Sequence, residues 1–158
     1  MADTFDRSPE HARTSNPFPI FSTSVETPAT KRLLRVLART GVADLIGHAG
    51  VFACRKIAGS TSWSDHSWGA AADLFPKPPT GDDDVERRRI FHAVIYQATH
   101  RTTANRGRKL DVRYVIDHDA RLIAEAPSFQ LRAYHGTTGD HVHVSTGERP
   151  TGTPPCAT

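Results

Sequence analysis

Cysteine is scarce in this chain: Cys54 and Cys156 are the only two among 158 residues. Two cysteines are too few for a disulfide framework of the kind that holds small secreted domains, or for a zinc site built from cysteine ligands. One bridge between them would close a long loop, but Cys156 lies in a tail rich in glycine, proline and threonine. We therefore interpret both cysteines as free thiols, with a single disulfide as the alternative.

Long apolar runs are also missing. No stretch of about 18 apolar residues occurs, so we expect no membrane span. The first 19 residues contain acidic side chains and lack the basic and apolar regions of a signal peptide. If the protein acts outside a cell, we expect another route to carry it there.

Charge of one sign does not dominate. The formal net charge is +3, with 37% hydrophobic and 23% charged residues, which suits one globular domain. Anionic cell wall, a membrane surface and nucleic acid are all compatible partners for a weakly basic protein. The basic stretches 87–89 and 106–109 could bind nucleic acid, but no base-reading motif accompanies them. We interpret them as a solvated helix face and a loop.

The chain divides into three parts by composition and apolar periodicity. Residues 1–26 are predicted to be a flexible arm, 27–146 a folded domain, and 147–158 a disordered tail. Thr27 and Pro28 are typical of a helix start, and Gly41 of a stop. A short helical stretch is predicted over 43–48.

A second helix is predicted after the acidic residues 82–84, with its buried side formed by Val85, Phe91, Val94, Ile95 and Ala98. The strands are expected at 51–54, 70–75, 110–116 with a hairpin partner at 121–124, and 141–145. This order of elements predicts an α+β fold with a small antiparallel sheet flanked by helices.

Two segments carry residues suited to chemistry, 64–74 (SDHSWGAAADL) and 139–145 (GDHVHVS). In the first, His66 and Asp73 are separated by Gly69, which can turn the chain so that both side chains face one point. In the second, His141 and His143 lie on one face of a predicted strand. Each motif alone is weak evidence, because chance and ordinary strand alternation produce it often.

The combination favours a catalytic metal. Zinc in a hydrolase is held by three nitrogen or oxygen ligands and keeps one position open for water, whose pKa then falls to about 7. Two histidines and one carboxylate supply such a set, and Asp140 is a candidate general base. His92 and His118 are interpreted as surface or turn residues.

These motifs resemble a known family. Ser-x-His, then Gly-x-x-x-Asp, then Asp-x-x-His within His-x-His is similar to the zinc D-Ala-D-Ala carboxypeptidases and L-alanyl-D-glutamate endopeptidases. That family includes phage endolysins and vancomycin-resistance dipeptidases, and shares its fold with the hedgehog signalling domain. The resemblance covers about residues 50–146. Lysostaphin-type endopeptidases also end in His-x-His, but their first His and Asp are four positions apart instead of seven.

The resemblance implies roles for individual residues. It implies that one zinc ion per chain is bound by His66, Asp73 and His143, with Asp140 as the general base. His141 would lie next to the ligands or donate to the transition state.

Two substrate contacts are also implied by the resemblance. Ser64 would lie beside the metal, and Arg55 is the nearest candidate for an upstream arginine that contacts substrate. The interval between Arg55 and the metal motif is much shorter than in the better-known members.

The implied function is hydrolysis of a peptide bond in peptidoglycan stem peptides, by a monomer that acts on the cell wall. A phage-encoded enzyme made in the host cytoplasm is one origin that fits. The alternative is a non-catalytic, zinc-stabilised cell-wall-binding module of the same fold, although such a module needs no base at Asp140.

Overall fold

The computed structural model describes residues 20–21, 25–77, 83–117, 119–124, 131–133, 141–147 and 150–157. Within these ranges the chain forms three α-helices and six strands: β1 (Ile20–Phe21), α1 (Pro28–Leu37), β2 (Ile46–Gly50), β3 (Ala71–Pro76), α2 (Asp83–Thr99), β4 (Tyr114–Asp117), α3 (Ala120–Ala124), β5 (Leu131–Ala133) and β6 (Val142–Ser145). Short 3₁₀ helices occur at Ala43–Leu45, Asp65–Trp68 and Pro155–Ala157. None of the helices within these ranges is long and apolar enough to span a bilayer.

The strands form one sheet in the order β1-β2-β3-β6-β4-β5. The four central strands pair antiparallel, which confirms the predicted α+β class with a small antiparallel sheet. The edge strands β1 and β5 pair parallel with β2 and β4, respectively. The sheet is therefore antiparallel at its centre and parallel at its two edges.

Alternation along β3 and β6 gives the sheet two chemically different faces. Ala72, Leu74, Val142 and Val144 are fully buried in the hydrophobic core, together with apolar residues of α1 and α2 (Leu33, Leu34, Val36, Leu37, Ile90, Phe91 and Val94). Successive side chains of a strand point to opposite faces. Asp73 and His143 therefore lie on the face away from this core.

The first helix begins as its sequence predicts. The Thr27 side chain accepts a hydrogen bond from the backbone N–H of Thr30, and Pro28 occupies the first turn. Thr30 also hydrogen-bonds Thr146 through their hydroxyl groups, 3.1 Å apart. This contact ties the start of α1 to the residue that follows β6.

The predicted hairpin after residue 110 is wrong in its second half. Residues 120–124 form helix α3, and the partner of β4 is β5 in parallel. The Asp119 carboxylate accepts a hydrogen bond from the backbone N–H of Arg121, 2.9 Å away. An aspartate in this position caps a helix start, so local capping outweighs the apolar alternation of this segment.

The strand expected at 51–54 is also misplaced. The strand is Ile46–Gly50, and residues 43–45 form a 3₁₀ turn in place of a helix through residue 48. Pairing of β2 with β3 decides the structure here, with an irregular register between Ile46 and His48. Strand preference depends strongly on such tertiary partners.

The two cysteines are joined in a disulfide, so their interpretation as free thiols is wrong. The Cα atoms of Cys54 and Cys156 are 5.9 Å apart, and the bridge spans 102 positions of sequence. Cys156 lies in the 3₁₀ helix Pro155–Ala157. This part of the segment predicted to be a disordered tail is thus covalently attached beside Arg55. Of the predicted N-terminal arm, residues 1–19 and 22–24 lie outside the described residues.

The prediction that Arg87 lies on a solvated helix face is also wrong. It is 1% exposed and forms a buried ion pair with Asp117 of β4, which is also 1% exposed. The buried side of α2 follows helical spacing and comprises Arg87, Ile90, Phe91, Val94 and Ala98. Val85, predicted on this side, is 44% exposed because it lies off that stripe. The solvated face predicted at residues 87–89 therefore excludes Arg87.

Candidate metal centre

His66 is presented by the 3₁₀ helix Asp65–Trp68. The Ser64 side chain caps this helix by accepting a hydrogen bond from the backbone N–H of His66, at 3.4 Å. Ser64 thus acts on the backbone that carries His66. Its predicted contact with substrate stays a prediction.

Gly69 ends this helix and turns the chain into β3. It has a φ of +67°, and a Cβ atom there would lie 2.1 Å from the carbonyl oxygen of Val25. The Gly69 carbonyl accepts a hydrogen bond from the N–H of Thr27. Only glycine fits both the conformation and the space. The turn directs the chain into β3, the strand that carries Asp73.

Asp73 and His143 are direct neighbours in the antiparallel pairing of β3 with β6. His143 also lies opposite Ile116 of β4, and Asp73 lies opposite Gly50 of β2. Both side chains are mostly buried, with exposures of 14% for Asp73 and 10% for His143. The centre of the sheet therefore holds these two ligand candidates rigidly.

Three potential ligand atoms meet at one point. His66 Nε2 lies 3.1 Å from Asp73 Oδ1 and 3.1 Å from His143 Nδ1, and His143 Nδ1 lies 2.8 Å from Asp73 Oδ1. Two ligands of a tetrahedral zinc ion would be about 3.3–3.5 Å apart. The triangle is slightly smaller than such a site requires, and His66, Asp73 and His143 could hold a metal ion with small side-chain adjustments.

The ring of His66 is oriented by a backbone carbonyl. Its Nδ1 lies 2.7 Å from the oxygen of Val51, which can only accept a hydrogen bond, so Nδ1 carries the proton. The other ring nitrogen, Nε2, then faces Asp73 and His143. Histidine ligands of metals are held by this arrangement, in which the second ring nitrogen donates to an oxygen.

The ionisation of the cluster suits a cation. Burial acts to raise the pKa of Asp73, but hydrogen bonds from His143 and His66 outweigh it and hold that pKa below its usual range. Burial lowers the pKa of His143, and its hydrogen bond to Asp73 opposes this only in part. An ionised carboxylate and neutral imidazole are the forms that bind a divalent metal.

The donor set itself fits zinc. Both His66 Nε2 and Asp73 Oδ1, which lie 3.1 Å apart, can offer a lone pair to a metal ion. A cation bound to both atoms and to His143 Nδ1 would satisfy all three at once. Two imidazole nitrogens and one carboxylate oxygen are a common zinc ligand set.

A buried network of polar side chains connects the structural elements that carry the candidate ligands. Asp65 is 1% exposed, and its Oδ2 accepts hydrogen bonds from the hydroxyl groups of Tyr114 and Ser145. The Tyr114 ring stacks on His143 with centroids 5.7 Å apart. Burial and the carboxylate of Asp65 raise the pKa of Tyr114. The helix that carries His66 is thereby bonded to β4 and β6.

Arg55 reaches the candidate site from the solvent side. Its guanidinium Nη2 lies 3.7 Å from Asp73 Oδ2, and the Arg55 side chain is 58% exposed. The buried hydroxyl of Ser67 donates to the carbonyl oxygens of Ala53 and Arg55 and accepts from the Arg55 N–H. Ser67 therefore holds the backbone of Arg55 against the helix that carries His66.

His141 lies beside the cluster. Its Nε2 is 3.5 Å from Asp73 Oδ1, and its ring centroid is 4.7 Å from that of Phe75. Phe75 in turn stacks on His48 at 4.3 Å. The sequence pattern does not predict this aromatic row, because it places His48 in a helix and Phe75 belongs to neither functional motif. Asp140 lies outside the described residues, and its predicted role as general base stays a prediction.

Comparison with known proteins identifies no relative: no protein-family model, curated protein or solved structure matches the chain. The assignment of the site therefore depends on its geometry and its motifs.

Sequence reasoning missed the residues that hold the ligands in place. Asp65, Ser67, Tyr114 and Ser145 are common residue types whose partners lie 12 to 80 positions away. A weak signal existed for Asp65 and Ser67, because both adjoin His66 in a polar segment. No local pattern identifies Tyr114 or Ser145.

Proposed function

We propose that this protein is a zinc-dependent peptidase that hydrolyses an amide bond in peptidoglycan stem peptides. The observation that carries the proposal is the convergence of His66 Nε2, Asp73 Oδ1 and His143 Nδ1 within 3.1 Å of one another. The motifs that supply these atoms resemble those of the zinc D-Ala-D-Ala carboxypeptidases and L-alanyl-D-glutamate endopeptidases. The antiparallel centre of the sheet, covered by α1 and α2 on the other face, is compatible with the fold of that family.

A bound zinc ion would supply a water of lowered pKa and would polarise the peptide carbonyl. The remaining work falls to the protein. The Val51 carbonyl and the β3–β6 pairing keep the three ligand atoms oriented. Such fixed orientation lowers the cost of reorganisation during the reaction.

Arg55 is proposed to bind the substrate. Stem peptides carry free carboxylates, and an arginine fork pairs well with a carboxylate. The Arg55 guanidinium is exposed yet only 3.7 Å from a carboxylate oxygen of Asp73. It can therefore turn from Asp73 toward an arriving anionic group without a backbone movement.

Asp140 is proposed as the general base. It stands three positions before His143 and one before His141, whose ring borders Asp73. A carboxylate that contacts the attacking water can accept its proton. His141 is proposed to donate a hydrogen bond to the developing negative charge.

The alternative is a binding module in which zinc only stabilises the fold. Structural zinc sites are closed by four protein ligands, whereas catalytic sites have three. Within the described part of the chain the cluster comprises three residues, and Asp73 retains 14% exposure. Both features favour a site that admits substrate.

Digestion of purified sacculi tests the proposal against this alternative. The zinc-loaded protein should release new amino and carboxyl termini in the stem peptides, identified by mass spectrometry, and the Asp73→Asn variant should release none. Retention on sacculi without any new terminus would favour the binding module. The identity of the termini would also show which bond is cut.

A further inference from the structure

A second candidate site lies between α1 and the turn at residues 103–107. It is a cavity of about 560 Å³, and none of its lining residues belongs to the metal centre. Six of those residues are basic and none is acidic: Lys31, Arg32, Arg35, Arg39, Arg106 and Arg108. Such a concentration of positive charge attracts anions and raises their local concentration.

Much of this charge is not neutralised by the protein. Arg32 pairs with Asp111 at 2.8 Å. Arg39, Arg106 and Arg108 form no salt bridge with any residue in the described ranges. Arg32 and Arg35 lie three positions apart on one face of α1, and Arg39 lies two residues beyond the end of this helix. Three arginines are therefore available to an external anion.

A buried polar group in the same lining also lacks a partner. Asn105 is 5% exposed, and its amide nitrogen has no hydrogen-bond acceptor among the described residues. A buried donor without an acceptor is costly, and such groups are rare unless something else satisfies them. Asn105 lines the same cavity as Arg106 and the arginines of α1. The combination of an unsatisfied amide donor with unpaired arginines indicates a site for an oxygen anion.

We propose that this cavity binds a phosphodiester chain, the repeating anion of polyol-phosphate cell-wall polymers. Arginine forks and an amide donor match phosphate oxygens. Among the described residues no aromatic side chain lines the cavity, so it lacks the aromatic platforms on which proteins that bind single-stranded nucleic acid stack bases. The volume lies in the range of pockets for drug-sized ligands, large enough for more than one phosphate unit.

The choice of a wall polymer rests on the proposed function, whereas the phosphate chemistry rests on the cavity alone. Binding here would hold the peptidase on the wall through a site separate from the metal centre. Because the polymer contains no peptide, its binding can be measured independently of hydrolysis. Failure of the peptidase proposal and failure of this inference are therefore distinguishable.

The test is binding of the full chain to poly(glycerol phosphate) of defined length at physiological ionic strength. The variant R39Q/R106Q should weaken binding at least tenfold. The control R89Q/R101Q removes the same charge from exposed residues outside the cavity and should change binding less than twofold. Asn105→Asp, which replaces the amide donor by an acceptor, should also weaken binding, with its melting temperature measured to check folding.

Three other probes define the ligand. Single-stranded DNA with the same number of phosphates, poly-glutamate and inorganic phosphate should all bind more weakly than the polymer. Equal losses in R39Q/R106Q and R89Q/R101Q would overturn the site, because they would show attraction by net charge alone. Tighter binding of the DNA or of poly-glutamate through the same arginines would overturn the ligand class.

Discussion

Asp73 and His143 lie opposite each other in neighbouring strands, with Asp73 Oδ1 and His143 Nδ1 2.8 Å apart. A slip of one residue in this pairing would turn either side chain into the core, because strand side chains alternate between faces. Ala72 would then take the place of Asp73, or Val144 that of His143, according to which strand slips. The register of β3 with β6 is therefore as important to the site as the identity of the ligands.

The ligand set is tested by single alanine variants. His66→Ala, Asp73→Ala and His143→Ala should each reduce bound zinc to less than about a tenth of the wild-type content, because even residues that only orient ligands contribute 10–100-fold to affinity. Metal content is measured on dialysed protein by mass spectrometry.

His141→Ala and His92→Ala are the controls for these variants. His141 borders Asp73 without belonging to the cluster, and His92 is an exposed residue of α2. Both variants should keep their zinc. Full retention in His143→Ala together with loss in His141→Ala would reverse the assignment within this pair.

The pattern of the sequence predicts much of the fold where local signals and tertiary contacts agree. Thr27 and Pro28 start α1 as predicted, and the valines of β6 alternate with the histidines. The sequence pattern does not predict the segments whose structure depends on a tertiary contact. Strand β5 exists through its pairing with β4, and the Arg87–Asp117 pair is buried because α2 packs over the sheet.

Asp140→Asn separates catalysis from metal binding. If Asp140 accepts a proton from the attacking water, this variant should keep its zinc and lose about 10²–10⁴-fold in kcat, the usual contribution of a positioned acid or base. Asp140→Glu should retain part of the activity. Wild-type hydrolysis by Asp140→Asn would refute the role as base, and loss of zinc would make Asp140 a ligand.

Gly69→Ala should destabilise the protein strongly. The added Cβ would meet the Val25 carbonyl oxygen at 2.1 Å in a residue with φ of +67°. Gly59→Ala is the matched control, since its φ is +72° and nothing lies within 4 Å of its Cβ position. The control should lose only about 1–2 kcal/mol, the cost of the left-handed conformation. Similar melting temperatures for the two variants would contradict the close approach of residue 25.

The buried carboxyl group of Glu26 should make the stability of the folded protein depend on pH. Glu26 is 6% exposed, and neither carboxylate oxygen makes a well-formed hydrogen bond with any residue that the structure describes. Burial raises its pKa above 4.5, against smaller effects of its own backbone N–H and of Lys31. The folded state then binds more protons than the unfolded state, so stability falls as pH rises from 4.5 through the folded-state pKa.

Glu26→Gln should remove this loss. The variant should exceed the wild type in free energy of unfolding at pH 7, on the order of 1–2 kcal/mol for relief of a buried unpaired charge. The difference should vanish below pH 4.5, where the Glu26 carboxyl is protonated in both states. A constant difference from pH 4 to pH 8, measured by urea unfolding, would show that Glu26 does not titrate with folding.

Like the fold, the candidate site could be predicted only in part from the sequence. The ligands His66, Asp73 and His143 could be proposed because their motifs, taken together, resemble those of a family of zinc peptidases. Tyr114 and Ser145 could not, since their role depends on reaching Asp65 from two other strands. The Cys54–Cys156 bridge was only the alternative to two free thiols for the same reason, because folding brings together residues 102 positions apart.

The most direct test of the account is a zinc titration of activity. Protein stripped of metal is mixed with increasing zinc, and hydrolysis of a purified muropeptide is followed by the release of free amino groups. The account predicts that activity rises in proportion to zinc, reaches its maximum at one equivalent per chain, and is absent at every zinc concentration in Asp73→Asn. Stoichiometric zinc binding without hydrolysis, or hydrolysis that does not depend on metal, would contradict it.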